Sequence, residues 1–349
     1  MPVPSSGAVS ISDLVDEFGG TAPHSLSEYY RDAGLVPSNN TSVPASGLFR
    51  MSNARGAVNE IAVAATSGTN VDLSSLFGSN WTSTVPKRLT VGSGVTIGGT
   101  GSSAAIIIPS NMAGTLEIDN SGSILGFGGS ANGGNGGNAI NNSASGVTIN
   151  NTGTIAGGGG GGGQGGTGGN GSFSQTVRQP TSGFAFNSSA TYWRHDGPYR
   201  YVDYGNTYRY DLPTYYSGTS YSVGGYTWYK GSFQYSFDDG EGSYYSVART
   251  YNQTTSSTGG SGGSGGQGQG YNQSNASGSS GSAGGTNAGA GGSGGNGATY
   301  GNAGATGSTG ANGNVSNGSA GSSGGSAGAA VAGTTVTMNN TGSVYGAVA

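Results

Sequence analysis

The chain has 349 residues, 76 of them glycine; 32% are hydrophobic, 7% are charged and the formal net charge is −4. Lys and Arg total 11 with no basic run, which argues against nucleic acid as a partner, and two histidines without cysteine leave little for a metal site, a disulfide framework or any cofactor. No apolar run approaches the length of a membrane span, so no membrane insertion is expected, and no basic-then-apolar leader marks a signal peptide.

Residues 1–57 form a small helical N-terminal module. Ile11, Leu14, Val15 and Phe18 recur at helical spacing, Ser10 stands as N-cap with Asp13 three residues on, and Gly19 follows the last turn. The pattern repeats at Leu26, Tyr29, Tyr30 and Ala33, opened by a Ser25/Glu28 capping box and closed by Gly34. Helices this short are marginal alone and must dock on something. The stretch 4–13 also echoes 44–53, as two related halves would, and an attachment module fits the segment.

Residues 58–118 are a β-rich neck, with strand signals at 61–65, 89–91, 95–97, 105–108 and 115–118. Leu73, Leu76, Phe77 and Trp81 predict a helical turn packed on them, making this the chain's ordinary hydrophobic core. An internal repeat follows. Ile118-Asp119-Asn120-Ser121-Gly122-Ser123-Ile124 matches Ile149-Asn150-Asn151-Thr152-Gly153-Thr154-Ile155, and again Met338-Asn339-Asn340-Thr341-Gly342-Ser343-Val344. Each copy reads as an apolar strand residue, an Asn-rich turn whose side chains bond their own backbone, and an apolar return. Stacked side by side, the copies would build a β-edged scaffold.

Glycine tracts follow the first two copies in 119–171, and a longer one, 259–333, leads into the third copy and carries no charged residue. Within the 257–349 segment glycines fall into period three at Gly278, Gly281, Gly284 and at Gly301, Gly304, Gly307, Gly310, Gly313. Three residues per turn is the period of the left-handed polyproline II helix, which has no hydrogen bonds of its own. Its side-chain-free edge lets neighbouring chains approach closely enough to pair backbone groups. The absence of proline from these triplets excludes collagen. The fold class expected is therefore mostly β and irregular: a helical module, β-rich repeats, and a glycine-rich sandwich of polyglycine II helices with Ser, Asn, Thr and Ala facing out.

Residues 172–256 have the opposite character. They hold 15 of the 20 tyrosines, with Trp193 and Trp228, and most of the chain's charge outside the neck and N-terminal module. Alternating runs such as Tyr199-Arg200-Tyr201 and Tyr226-Thr227-Trp228-Tyr229, broken by Gly205-Asn206, Gly224-Gly225 and Asp239-Gly240, read as β-hairpins. Tyrosine and tryptophan offer large amphipathic surfaces at low entropic cost, and arginine stacks on rings or meets acidic groups. The candidate receptor-binding residues are Tyr192, Trp193, Arg194, Tyr199, Arg200, Tyr201, Tyr226, Trp228 and Tyr229. The same aromatics also serve as packing for a β-domain.

The Asn-Asn-Thr-Gly repeats with their glycine tracts, at 89–171 and 259–349, resemble receptor-binding proteins at the tail tips of tailed bacteriophages. Two kinds are similar: the glycine-rich distal adhesins of long tail fibres and the glycine-rich tips of siphophage central fibres. The segments Ser6-Gly7-Ala8-Val9-Ser10-Ile11-Ser12-Asp13 and Ser25-Leu26-Ser27-Glu28-Tyr29-Tyr30-Arg31 look like short modules of phage tail proteins. The resemblance implies an adhesin made in the host cytoplasm and carried on the virion, whose partners are a host bacterial surface receptor and other phage tail proteins. Loops joining the glycine helices touch the receptor in such adhesins, which by analogy makes the aromatic insert the specificity element. A homotrimer and a single copy capping another protein's trimer both remain open.

Catalytic constellations are weak. Glycine runs satisfy G-x-G-x-x-G in many registers, yet none follows a strand and opens a helix. Asp238, Asp239 and Glu241 read as a hairpin turn before they read as a calcium site or a glycosidase pair, and His195 beside Asp196 has no nucleophile elbow to serve. A polysaccharide-degrading tail spike and a glycine-rich ice-binding protein stand as alternatives, the second disfavoured by the charged insert.

Overall fold

A computed structural model describes residues 3–37, 40–187, 201–204, 208–211, 220–223, 226–236 and 243–349. The chain divides into two compact units, Met1–Gly169 with Gly259–Ala349, and Asn170–Thr258. Among the described residues no helix is long and apolar enough to cross a membrane.

The first unit opens with α1 (Ile11–Phe18), whose Ser10 N-cap accepts from the Asp13 amide while the Asp13 carboxylate accepts from the Ser10 amide at 2.7 Å. Its Leu14 and Phe18 enter a separate N-terminal core with Val3, Tyr29, Val36, Val43, Ala54 and Ala57. The neck therefore does not hold the chain's one ordinary core. The second expected helix is only a 3-10 turn, Leu26–Tyr29. Tyr30 leaves it in extended conformation, stacks edge-on against Phe49 at 5.7 Å and donates its hydroxyl proton to the Gly47 carbonyl, so Ala33 cannot continue the turn. The sequence echo is structural: Gly7 and Gly47 share φ near +80° (80° and 84°), and Asn53 accepts from the Arg50 amide at 3.0 Å as Asp13 does from Ser10. The module is tied to the rest by Asn40, whose side-chain amide exchanges two 2.9 Å bonds with the backbone of Val58.

Among the described residues fourteen short strands then wind through three parallel sheets, four turns of the chain visiting all three and a last one the first two. The first sheet stacks β1 (Ile61–Ala64), β4 (Lys87–Val91), β7 (Leu116–Asn120), β10 (Val147–Asn151) and β19 (Thr337–Asn340) in that order. The second stacks β2 (Gly68–Thr69), β5 (Thr96–Gly98), β8 (Ser123–Leu125), β11 (Thr154–Ala156) and β20 (Ser343–Tyr345). The third stacks β3 (Val71–Asp72), β6 (Ile106–Ile108), β9 (Ile140–Asn142) and β18 (Val331–Gly333). The result is a three-sided solenoid. Register carries like onto like: Val63, Leu89, Ile118, Ile149 and Met338 form one column, and Ile97, Ile124, Ile155 and Val344 another. Each buried Ile or Leu contributes roughly 1.5–3 kcal/mol.

The repeated motif is a corner between two sheets, and the apolar return expected after it lies in the next sheet. Asn120 does bond its own loop, accepting from the Gly122 amide at 3.2 Å. It also donates to Asn151 at 2.7 Å, and Asn151 donates to Asn340 at 2.7 Å, an amide ladder down the stack that is buried at Asn120 and Asn151 and reaches the surface at Asn340. The motif's glycine is sterically required, since a Cβ on Gly153 would lie 2.2 Å from the Gly122 carbonyl oxygen. At the lower end α2 (Leu73–Phe77) and the following 3-10 turn place Leu73, Phe77 and Trp81 in the core, while Leu76 faces outward. Lys87 is buried there with Nζ donating to the carbonyls of Ser83, Val85 and Ala113 at 2.6, 3.1 and 2.7 Å. On the outer face Arg88 binds Glu60 through Nε, Glu117 at 2.8 Å and Asp119, and the Glu60 and Asp119 carboxylates hold its guanidinium above its ordinary pKa.

The glycine tracts pack as a bundle around the segment 157–169. Its hydrogen bonds reach six neighbouring segments, 126–133, 134–137, 260–269, 289–298, 302–311 and 319–328, with every third residue serving the same neighbour. Gly160, Gly163, Gly166 and Gly169, for example, donate to residues 302, 305, 308 and 311 in turn. That is the three-residue periodicity of a polyglycine II helix, and the arrangement goes beyond a layered sandwich because one helix is enclosed on every side. Where all six neighbours are present, 157–163, all seven residues are glycine and all are buried. The neighbour at 134–137 stops beside Gly161, and the next two positions of that row are Gln164 and Thr167. Their amides are taken instead by the hydroxyls of Ser322 and Ser319 at 2.7 and 2.8 Å. Perimeter Ser and Asn thus do more than face out. They fold back to satisfy amides that lack a backbone partner, as Asn135 does for Ser326 and Asn296 for Gly278.

The second unit is one antiparallel sheet, ordered β14 (Tyr208–Asp211), β13 (Tyr201–Tyr204), β12 (Gly171–Asn187), β17 (Ser243–Ser257), β16 (Tyr226–Ser236), β15 (Ser220–Val223). β12 and β17 pair from Gly171↔Ser257 to Asn187↔Ser243, with the register slipping after Pro180, where the missing proline N–H interrupts the ladder.

Candidate functional site

The expected hairpins are present as strand pairs: β13 with β14, β15 with β16, and β16 with β17. Of the candidate contacts, Tyr192, Trp193, Arg194, Tyr199 and Arg200 lie outside the described residues, as do His195, Asp196, Asp238, Asp239 and Glu241. Tyr201 opens β13 opposite Asp211, and Tyr226 opens β16 opposite Val223. Trp228 stands in register with Tyr221 on one side and Arg249 on the other. Tyr229, half-buried, pairs with Ser220 and Ala248. A second cross-strand row sets Phe186 beside Tyr244 and Tyr244 beside Tyr235.

A second aromatic group, overlooked in the sequence, lies in the first unit. Phe127 and Tyr271 line an open cleft of about 600 Å³ at the solenoid end of the glycine bundle. Tyr271 sits on a tight turn closed by reciprocal 3.0 and 2.9 Å bonds between Gly270 and Gln273, with Asn272 at φ 53°. The signal was present in the composition: each is a lone aromatic residue interrupting a glycine tract. At the opposite end of the bundle, the turns 285–288 and 313–316 meet through the bond from the Asn314 amide to the Asn287 carbonyl, and Val315 is 60% exposed there. Segment 157–169 ends and segment 259–270 begins at this same end, where Gly168 donates to Gly260.

The first unit is a parallel solenoid with a glycine bundle, and the aromatic antiparallel sheet is inserted in the sequence between two segments of that bundle. The family model for phage tail fibre adhesin Gp38 matches residues 59–242, more than half of the chain, and the chain belongs to that family. It is a tail fibre adhesin, a virion component that recognises a host cell-surface receptor and mediates attachment. Among solved structures, the crystal structure of the gp37–gp38 adhesin tip complex of the bacteriophage S16 long tail fibre aligns at 18% identity and a TM-score of 0.37, covering 99% of this chain and 100% of that one. No curated protein matches the chain.

Proposed function

We propose that host recognition resides in the sheet of residues 172–256, with Tyr192, Trp193, Arg194, Tyr199, Arg200, Tyr201, Tyr226, Trp228 and Tyr229 as its contacts. The observation carrying this reading is the register that aligns Tyr221, Trp228 and Arg249 across three adjacent strands. Rows of this composition suit a host glycan or an outer surface protein, by ring stacking and by arginine contacts. Binding is by many weak contacts strengthened by several fibres acting together, without turnover of the receptor. Residues 1–57 dock the adhesin on another tail protein. Leu48, 72% exposed, and Ile11, 40% exposed, support that role for the module, since it keeps its own core yet leaves apolar side chains outside. The repeats of 58–118, 119–171 and 257–349 serve as the frame.

The test is a phage carrying the adhesin with residues 170–258 replaced by a short glycine linker, a splice made feasible by the adjacency of Gly168 and Gly260. Particles that assemble with the variant present but fail to adsorb are the expected result. Normal adsorption refutes the assignment. Release of reducing ends from host polysaccharide by the purified wild-type chain would instead establish a degrading tail spike.

A further inference from the structure

The cleft beside Phe127 and Tyr271 is built more firmly than its surface position requires. Tyr271 lies on Gly98 of β5: a Cβ there would fall 2.1 Å from the Tyr271 Cγ and 2.2 and 2.5 Å from its two Cδ atoms. Phe127 lies on Gly137 in the same way, 2.0 Å from a Cβ built at that residue. Two side-chain-free positions thus act as seats that hold both rings, one in the solenoid and one in the bundle. Rigid rings lose little freedom when a ligand stacks on them.

The polar groups of the cleft are fixed at one end and unused at the other. Gln273 accepts from the Gly128 amide through Oε1 at 2.8 Å, leaving its Nε2 donors. Asn135 accepts from Ser326 through Oδ1 at 2.9 Å, leaving its Nδ2 donors. Gln267 donates through Nε2 to the Ser274 carbonyl at 3.0 Å, leaving its Oε1 acceptor. Asn272 projects from the turn beside them, and among the described residues no charged side chain lines the cleft. A carboxamide whose other end is anchored presents its remaining donor or acceptor in a set direction.

We propose that this cleft binds an uncharged saccharide unit, separately from the recognition surface of residues 172–256. Ring faces meet the C–H face of a sugar, and carboxamides that donate at two points and accept at a third match hydroxyls that do both. The absence of lining charge disfavours phosphate, carboxylate and cationic ligands. A volume of about 600 Å³ accommodates a mono- or disaccharide.

The experiment is saturation-transfer NMR and calorimetry on the full chain with glucose, galactose, N-acetylglucosamine and maltose as probes. Saturable binding of at least one probe near a Kd of about 1 mM is expected, with at least a tenfold loss in both Tyr271→Leu and Gln273→Glu. The Gln273→Glu variant keeps the acceptor for Gly128 and replaces the free donor with a carboxylate, so it decides the matter should Tyr271→Leu lower the melting temperature. Failure of all four sugars to bind, or binding that survives Gln273→Glu unchanged, overturns the proposal.

Discussion

Asn151 donates from Nδ2 to Oδ1 of Asn340 at 2.7 Å, although 189 residues separate them in the chain. Between the two lie most of the glycine bundle and the whole aromatic sheet, so this bond and the β10–β19 pairing close the solenoid over everything inserted into it. Asn151 is buried, and removal of its amide leaves the Asn340 acceptor and the Asn120 donor without their partner. Asn151→Ala should therefore cost about 2–3 kcal/mol, read as a fall in the unfolding midpoint. The exposed Asn339→Ala should cost less than about 0.5 kcal/mol; equal losses in the two variants would show that the ladder adds nothing beyond the strands.

The glycine bundle makes a sharper prediction. A Cβ on Gly162 would sit 1.9 Å from the Gly295 carbonyl oxygen and 2.4 Å from its carbon, both backbone atoms of a neighbouring helix that is itself packed. Gly162→Ala should destabilise the bundle by at least about 3 kcal/mol and raise amide exchange throughout 157–169 and 289–298. Gln164→Ala, two residues on but on the open row, should leave both unchanged. Slow exchange preserved in Gly162→Ala would mean that segments 157–169 and 289–298 are not packed closely enough to exclude a Cβ at that position.

Much of this was legible beforehand, and the reasons differ by region. The capped helix at Ile11–Phe18 was readable because Ser10, Asp13 and Gly19 each act within one turn of the chain. The glycine code was readable because its period is a local property, yet the number of glycines per triplet encodes how many neighbours a helix has, which only the packed bundle reveals. Gly157–Gly163 is enclosed and entirely glycine, whereas the segment 276–284 exchanges its backbone bonds with 260–269 and 289–298 and keeps glycine at one position in three. What remained hidden depended on distant partners. Tyr30 leaves its helix because Gly47 and Phe49 draw it out, and the Asn motif turns a corner because its return strand pairs in another sheet. Tyr271 needs Gly98, 173 positions earlier in the numbering, to be held in place. Among the described residues of the insert, the strand pairing of β13 with β14, β15 with β16 and β16 with β17 is legible in the alternation and turn residues, whereas Tyr192, Trp193, Arg194, Tyr199 and Arg200 lie outside the described residues.

Lys87 shows how the open lower end of the solenoid is closed. Its position in the column with Ile61, Leu116 and Val147 calls for an aliphatic residue. The ammonium instead gathers three carbonyls that lack strand partners at that end. Burial pulls its pKa below the ordinary lysine value, so the charged form is held there at some cost by those acceptors. Lys87→Met keeps the volume and leaves the carbonyls of Ser83, Val85 and Ala113 without that donor. A loss of about 2–4 kcal/mol is expected, measured by denaturant unfolding. A more stable Met variant would show that water or the backbone satisfies those groups more cheaply.

Acid should loosen the same region from the other side. Asp72 caps α2, accepting from the Ser74 hydroxyl at 2.5 Å and from the Ser74 and Ser75 amides at 2.8 and 3.2 Å. The Ser74 hydroxyl is the main cause that holds its carboxyl below the ordinary 3.8; burial works the other way, and the two amides add to the lowering. A carboxyl depressed in the folded state binds its proton more weakly there than in the unfolded chain. Its stabilisation is therefore complete above the ordinary value and disappears as pH falls through the folded one. Wild-type chain should melt higher than Asp72→Asn at pH 7, and the gap should shrink as the buffer is taken toward pH 3. Asp13 is shifted in the same direction by Ser10 and is unaltered in the variant, so the comparison isolates Asp72. A gap of equal size at both pH values would mean that the cap works through geometry alone, with the charge of Asp72 playing no part.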